Sequence, residues 1–227
     1  EIPKTLAQAQ VLITPSAHVK QEVIDHYGFP ADRIYVTPLG VSDQFKPYDQ
    51  QATEVTLAQA GLKYKSYVLS VATTEPRKNL ERLLTAYAQL PAPLRQSFPL
   101  VLVGSTGWLN QQLNQTIQSL VKAGEIKSLG YVDEKTLQHL YAGARVVALP
   151  SLYEGFGLPI LEAVACGCPT LSSNMASLPE ICGESAHFFD PKEIDDMAEA
   201  IKKICEDSVY RQKLAQGGPK HAKNFSW

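Results

Sequence analysis

The stretch Leu149-Pro-Ser-Leu-Tyr-Glu-Gly-Phe-Gly-Leu-Pro-Ile-Leu-Glu-Ala-Val-Ala-Cys-Gly167 decides the fold of this chain. It starts at the end of an apolar run, Val146 to Leu149, that reads as a buried strand. A loop follows with Glu154, Gly155, Phe156 and Gly157. A short helix then begins with Pro159 near its first position, where a missing N–H costs nothing and a fixed φ helps. Glycines ahead of a helix let the backbone approach a ligand, and the helix's first N–H groups carry about half a positive charge. Strand, glycine loop and helix start in that order favour an anion, most often phosphate.

Two carboxylates frame this seat: Glu154 in the loop and Glu162 about one turn into the helix. Acids beside a phosphate seat make electrostatic sense if they accept hydrogen bonds from the hydroxyl-rich parts of a ligand. Such a ligand has a charged centre and neutral polar ends, as a nucleotide sugar does. Spacing alone leaves a second reading equally open, with Glu162 as a first-turn acid favoured by the helix dipole and Glu154 as a solvated loop residue.

Glu154-Gly-Phe-Gly-Leu-Pro-Ile-Leu-Glu162 resembles the E-x-x-x-x-x-x-x-E signature of retaining glycosyltransferases with the GT-B fold. That family includes glycogen-synthase-like enzymes and many bacterial mannosyl- and glucosyltransferases. The likeness continues through Ala163-Val-Ala-Cys-Gly-Cys-Pro169 and Ser177-Leu-Pro-Glu-Ile181.

The totals narrow the classes. With 227 residues, 44% hydrophobic and 19% charged, the chain is ordinary for a globular protein with a sizeable core. A net charge of −2 and the lack of a basic stripe argue against nucleic acid. No apolar run approaches the ~18 residues of a membrane span, and no signal peptide opens the sequence. Cys166, Cys168, Cys182 and Cys205 form no CxxC pair, and no His or Cys cluster has zinc spacing. Cys166 and Cys168 read as small apolar side chains in a reducing compartment, so the expected location is cytoplasmic.

In chain order, residues 5 to 10 read as the end of a helix and Val11 to Thr14 as a strand; Ser16 caps a helix that Gly28 stops. A strand at Ile34 to Thr37 leads into Pro38-Leu-Gly-Val-Ser-Asp43, and residues 46 to 65 form a connector with a short helix. From Tyr67 onward strands alternate with helices. Strands are expected at 67–72, 100–104, 126–129, 146–149, 169–172 and 186–189. The helices between and after them are expected at 79–90, within 107–123, from Asp133 to about 142, near Leu178, and at 192–206 and 208–223. This alternation predicts an α/β fold, a Rossmann-like doubly wound parallel sheet with helices on both faces. Ligands of such sheets sit outside the carboxyl ends of the strands.

Thr73-Thr-Glu-Pro-Arg-Lys-Asn79 follows a strand and opens a helix, so Arg77 and Lys78 project on the ligand side of the sheet. A planar guanidinium and a compact ammonium suit phosphate oxygens, though composition alone would leave the pair solvated. The segment resembles the E-P-R-K-N block of the same family, whose basic pair contacts the donor diphosphate; a further family Arg is replaced here, at Thr73. Leu129-Gly-Tyr-Val-Asp133 resembles the segment that flanks the nucleotide base, with Tyr131 offering a stacking face and Val132 its backbone. By itself it is equally a turn glycine followed by a helix-capping Asp. Gly104-Ser-Thr-Gly107 lacks the G-x-G-x-x-G spacing of a nicotinamide site.

The resemblance implies one half of a GT-B fold, with residues 1–45 the tail of an N-terminal acceptor domain and hinge and residues 46–227 the C-terminal donor-binding domain. Leu39 stands where the family has Asn before Gly40, so only backbone contact near Gly40 carries over. It implies transfer of a hexose from a donor such as GDP-mannose or UDP-glucose to a saccharide or lipid-linked acceptor, in polysaccharide or glycolipid synthesis. No cofactor or metal is expected, and no D-x-D motif is present. Glu154 would be the catalytic carboxylate beside the sugar. Arg77, Lys78 and the backbone of Gly155, Phe156, Gly157 and Leu158 would hold the diphosphate, and Glu162 the ribose. The rest of such a protein implies peripheral association with the inner face of a membrane, and the chain alone is expected to turn over weakly or not at all. A GT-B sugar-nucleotide epimerase and a non-catalytic nucleotide-sugar binding module are the rival expectations.

Overall fold

A computed structural model of the protein describes residues 2–105 and 111–227. The chain opens with α1 (Ile2–Gln8) and β1 (Leu12–Thr14), then α2 (Ala17–Tyr27) and β2 (Ile34–Val36). Ser16 caps α2 by accepting from the Val19 N–H at 3.2 Å, and Gly28 ends it in the left-handed region at φ 63°. β1 and β2 pair in parallel with each other, Leu12 opposite Ile34. The connector holds α3 (Gln50–Gln59).

The main unit follows: β3 (Val68–Val71), α4 (Leu80–Ala88), α5 (Ala92–Ser97), β4 (Leu100–Val103), α6 (Gln111–Lys122), β5 (Ile126–Ser128) and α7 (Glu134–Gly143). It continues with β6 (Val146–Leu149), α8 (Leu158–Ala165), β7 (Thr170–Ser173), α9 (Leu178–Cys182), β8 (His187–Phe189), α10 (Ile194–Glu206) and α11 (Ser208–Ala222). Six strands form one sheet in the order β5-β4-β3-β6-β7-β8, and every pairing is parallel.

Alternation along each strand divides the core. Leu69, Val101 and Val147 face a layer with Leu57 of α3, Tyr141 of α7 and Leu161 of α8. Their neighbours Val68, Leu100 and Val146 face Leu83 of α4, Ile117 of α6 and Ile201 of α10. Both faces of the central strands are therefore covered, which explains why they are apolar runs rather than alternating patterns. The doubly wound parallel sheet expected from the sequence is the observed fold.

The sequence reading missed one element and misplaced another. The helix expected over 79–90 ends at Ala88, and a separate α5 follows at Ala92–Ser97. Pro91 and Pro93 fall at the start of α5, where an N–H is not needed. The opening helix lies at Ile2–Gln8, earlier than residues 5 to 10 suggested. The expected turn at Gly104-Ser-Thr-Gly107 and the start of the next helix extend into 106–110, outside the described residues.

The end of the chain returns to residue 40. Val41 N–H donates to the Phe225 carbonyl at 2.9 Å. A Cβ on Gly40 would sit 2.5 Å from the Trp227 backbone nitrogen, so only glycine lets these segments cross. All four cysteines are free and buried. Among the described residues no helix is long and apolar enough to cross a membrane.

Candidate functional site

The strand order reverses between β3 and β6, which lie side by side. The chain leaves β3 toward one edge and β6 toward the other, so the loops after these two strands open a crevice at their carboxyl ends. Both basic and acidic signature segments are those loops.

The loop after β3 makes a single 3-10 turn, Pro76–Lys78, and then places Asn79 in the left-handed region at φ 57°. Asn tolerates that conformation better than most residues. Its buried side-chain amide explains the choice here. Nδ2 donates to the Pro150 carbonyl at 3.0 Å and to the Pro191 carbonyl at 2.8 Å, fixing the first loop against the second. Leu152 N–H donates to the Arg77 carbonyl at 2.8 Å and adds a backbone tie.

These ties bring the predicted cations onto the predicted acid. Lys78 Nζ donates to Glu154 Oε1 at 2.5 Å, and Arg77 Nη1 donates to Oε2 at 3.0 Å. Ser151 Oγ donates to Oε1 at 2.7 Å. Glu154 is only 6% exposed and Lys78 only 7%, so neither is the solvated residue that spacing allowed for the first and composition for the second. A buried carboxylate with three donors, two of them charged, is a fully satisfied ion cluster. Arg77 is the outer member, with its side chain 44% exposed and its Nε donating to Glu75 Oε2 at 2.9 Å. A hydrogen bond from Thr73, with Arg77 and Lys78 nearby, holds the Glu75 carboxyl below the usual range.

Across the crevice lies the glycine loop. Gly157 caps α8 at φ 105°, and a Cβ there would meet Leu178 Cδ2 at 2.6 Å. The loop's carbonyls are taken by buried hydroxyls. Ser177 Oγ donates to Glu154 O at 2.7 Å and Phe156 O at 3.0 Å, while Ser16 Oγ donates to Gly155 O at 2.7 Å. Among the described residues, the N–H groups of Gly155, Phe156, Gly157 and Leu158 donate to no protein acceptor. With the α8 dipole behind them these N–H groups are able to receive an anion. The Phe156 ring is buried edge-on against Phe225 at 6.0 Å, so this residue offers only its backbone.

The remaining predicted residues share one place. Gly40, Tyr131, Val132, Leu158, Glu162 and Trp227 line a cavity of about 300 Å³. Glu162 stands in the second turn of α8, beyond the first turn that the dipole reading required, and accepts from Tyr141 Oη of α7 at 3.1 Å. Burial pushes its carboxyl up to about 7, the Tyr141 bond opposing and the nearby Glu134 carboxylate adding to the rise. Burial, with Glu162 beside it, pushes the Tyr141 hydroxyl well above its ordinary value. Tyr131 is 83% exposed, its ring open to a partner. One helix therefore joins the two parts: α8 carries the free N–H groups at its start and Glu162 one turn further on.

Sequence reading did not find Ser151, Ser177 or Tyr141, nor the anchoring roles of Asn79 and of Ser16, which it placed only as a helix cap. Each is a polar residue at a position that periodicity marks as core or loop. Only Asn79, directly after two cations at a helix start, carried a local signal.

The family model described as "Glycosyl transferases group 1" matches residues 56–221. The chain is 39% identical over 224 residues to O-antigen chain mannosyltransferase B of Escherichia coli, covering 99% of this chain and 59% of that protein. It is 33% identical over 227 residues to serotype-specific mannosyltransferase WbdA of Escherichia coli, covering 97% of this chain and 27% of that protein. The chain thus spans less than two thirds of these curated relatives. Among solved structures, sucrose-phosphate synthase from Thermosynechococcus elongatus superposes with a TM-score of 0.84 at 24% identity, over 100% of this chain and 57% of that one. Anabaena Alr3699/HepE, in complex with UDP and glucose, gives 0.84 at 22% identity over 96% of this chain and 59% of that one. Fold, signature segments and family match converge: the chain belongs to the group 1 glycosyltransferases, and its sheet is that of the GT-B enzymes.

Proposed function

We propose that this chain binds a nucleoside diphosphate sugar and supplies the donor half of a retaining hexosyl transfer to an acceptor hydroxyl. The observation that carries this reading is the meeting of Arg77 and Lys78 with the glycine loop and α8 start at the sheet's reversal point. A diphosphate placed there meets unpaired backbone N–H groups on one side and two cations on the other. The same groups stabilise the charge that gathers on the diphosphate as the sugar departs. Further along α8, Glu162 accepts from the ribose hydroxyls, with Tyr131 and Val132 beside the base. Glu154, at the junction of the two loops, serves the sugar.

Mannose is the hexose this reading assigns, on the strength of two relatives named as mannosyltransferases, and polysaccharide assembly is the setting that O-antigen synthesis suggests. Retention follows if acceptor and departing diphosphate share one face of the sugar. The test is an incubation of the full-length protein with GDP-mannose and a mannoside acceptor, with the new linkage read by NMR. The expected product keeps the donor's anomeric configuration. An inverted product would remove retention, and no product from any nucleoside diphosphate hexose would remove transfer.

A further inference from the structure

Arg77 and Lys78 are already occupied. The donors a diphosphate needs point at Glu154, at 2.5 Å from Lys78 Nζ and 3.0 Å from Arg77 Nη1. Glu75 takes Arg77 Nε as well. Two positive side chains thus face two negative ones, and the cluster presents little net field to a dianion. Desolvated ion pairs of this kind are strong only while both partners stay, and a phosphate oxygen competes for the same hydrogens as a carboxylate oxygen.

Resting on the donor reading above, we propose that Glu154 is a built-in competitor for the diphosphate. It holds Arg77 and Lys78 until the donor's diphosphate takes them, and its carboxylate is released toward the sugar only then. Ser151, fully buried and bonded to Oε1, is the pivot on which the carboxylate turns. The competition runs both ways. Once the sugar has left, the returning carboxylate displaces the diphosphate and hastens its release.

The idea makes a prediction of unusual sign: neutralising the acid should tighten binding. Calorimetric titration of Glu154→Gln with inorganic pyrophosphate, GDP and UDP is expected to show affinity on the order of tenfold higher than the parent for pyrophosphate and the bound nucleotide. Equal or weaker binding by the variant, with the parent still binding, would overturn the competitor and leave the diphosphate seat standing. Absence of binding in both forms would remove the seat itself, and the competitor with it. A second measurement needs no substitution. In the parent protein carrying carbon-13 glutamate, the Glu154 Cδ resonance is expected to move as pyrophosphate saturates; a resonance unmoved at saturation overturns the proposal.

Discussion

Glu154 and Glu162 stand in one nine-residue signature, yet the fold gives them opposite surroundings. Glu154 is closed in by Lys78, Arg77 and Ser151, so every charge near it is answered. Among the described residues Glu162 has the single hydroxyl of Tyr141, and burial pushes its carboxyl up to about 7. The first is stable as it stands and must be disturbed by a ligand. The second is held in a costly state that a ligand's hydroxyl groups would relieve. In the proposed function the difference separates the phosphate end of the site from the nucleoside end, and substitutions should fall on either side of it.

The largest effect is expected at Lys78. Lys78→Ala leaves the buried Glu154 carboxylate short of its buried cation and should cost about 3 kcal/mol of stability, read by urea unfolding. Arg77→Ala, at the exposed rim of the same cluster, should cost less than about 1 kcal/mol. Both should weaken nucleoside diphosphate binding. Equal stability losses at the two positions would break the picture of a buried inner and an exposed outer cation.

Gly157→Ala comes next. Its φ of 105° and the 2.6 Å approach to Leu178 Cδ2 predict a loss of about 2 kcal/mol together with weaker nucleotide binding. A variant as stable as the parent would mean that this loop does not depend on the glycine.

Glu162 sharpens the comparison through pH. Its folded pKa, about 7, lies above the 4.5 of an unperturbed glutamate, so the unfolded chain gives up the proton first. Stability from this group is full below about 4.5, declines as pH rises to about 7 and is flat beyond. The decline should be on the order of 3 kcal/mol in the parent and absent in Glu162→Gln, measured as melting temperature against pH. Parallel curves for the two proteins would show that Glu162 titrates normally. The smallest effect belongs to Tyr131→Ala, which should leave stability within about 0.5 kcal/mol because the ring is 83% exposed, while nucleotide affinity falls a few-fold.

Much of the fold was legible because its signals are local. The apolar runs at Val68 to Val71 and Val146 to Leu149 appeared as strands, and Ser16, Gly28 and Asp133 marked helix ends where they were expected. α5 was not legible, since Pro91 and Pro93 signal a break as well as a helix start. The candidate site residues were legible one by one, and the structure brings them into two adjoining places. Their pairing was not. Nothing near Glu154 in sequence announces Lys78 and Arg77, more than seventy positions away, or shows that a loop glutamate will be buried. The supports lay deeper still, because Ser151, Ser177 and Tyr141 act through contacts that exist only once the sheet has assembled.

The measurement that tests the central claim most directly is calorimetric titration of the protein and of its Arg77→Ala variant with GDP, UDP, ADP and dTDP. The account predicts that at least one nucleotide binds the parent, and that the variant binds it at least tenfold more weakly, a difference of ~1.4 kcal/mol. Binding unchanged by the loss of Arg77, or no binding of any nucleotide at millimolar concentration, would contradict it.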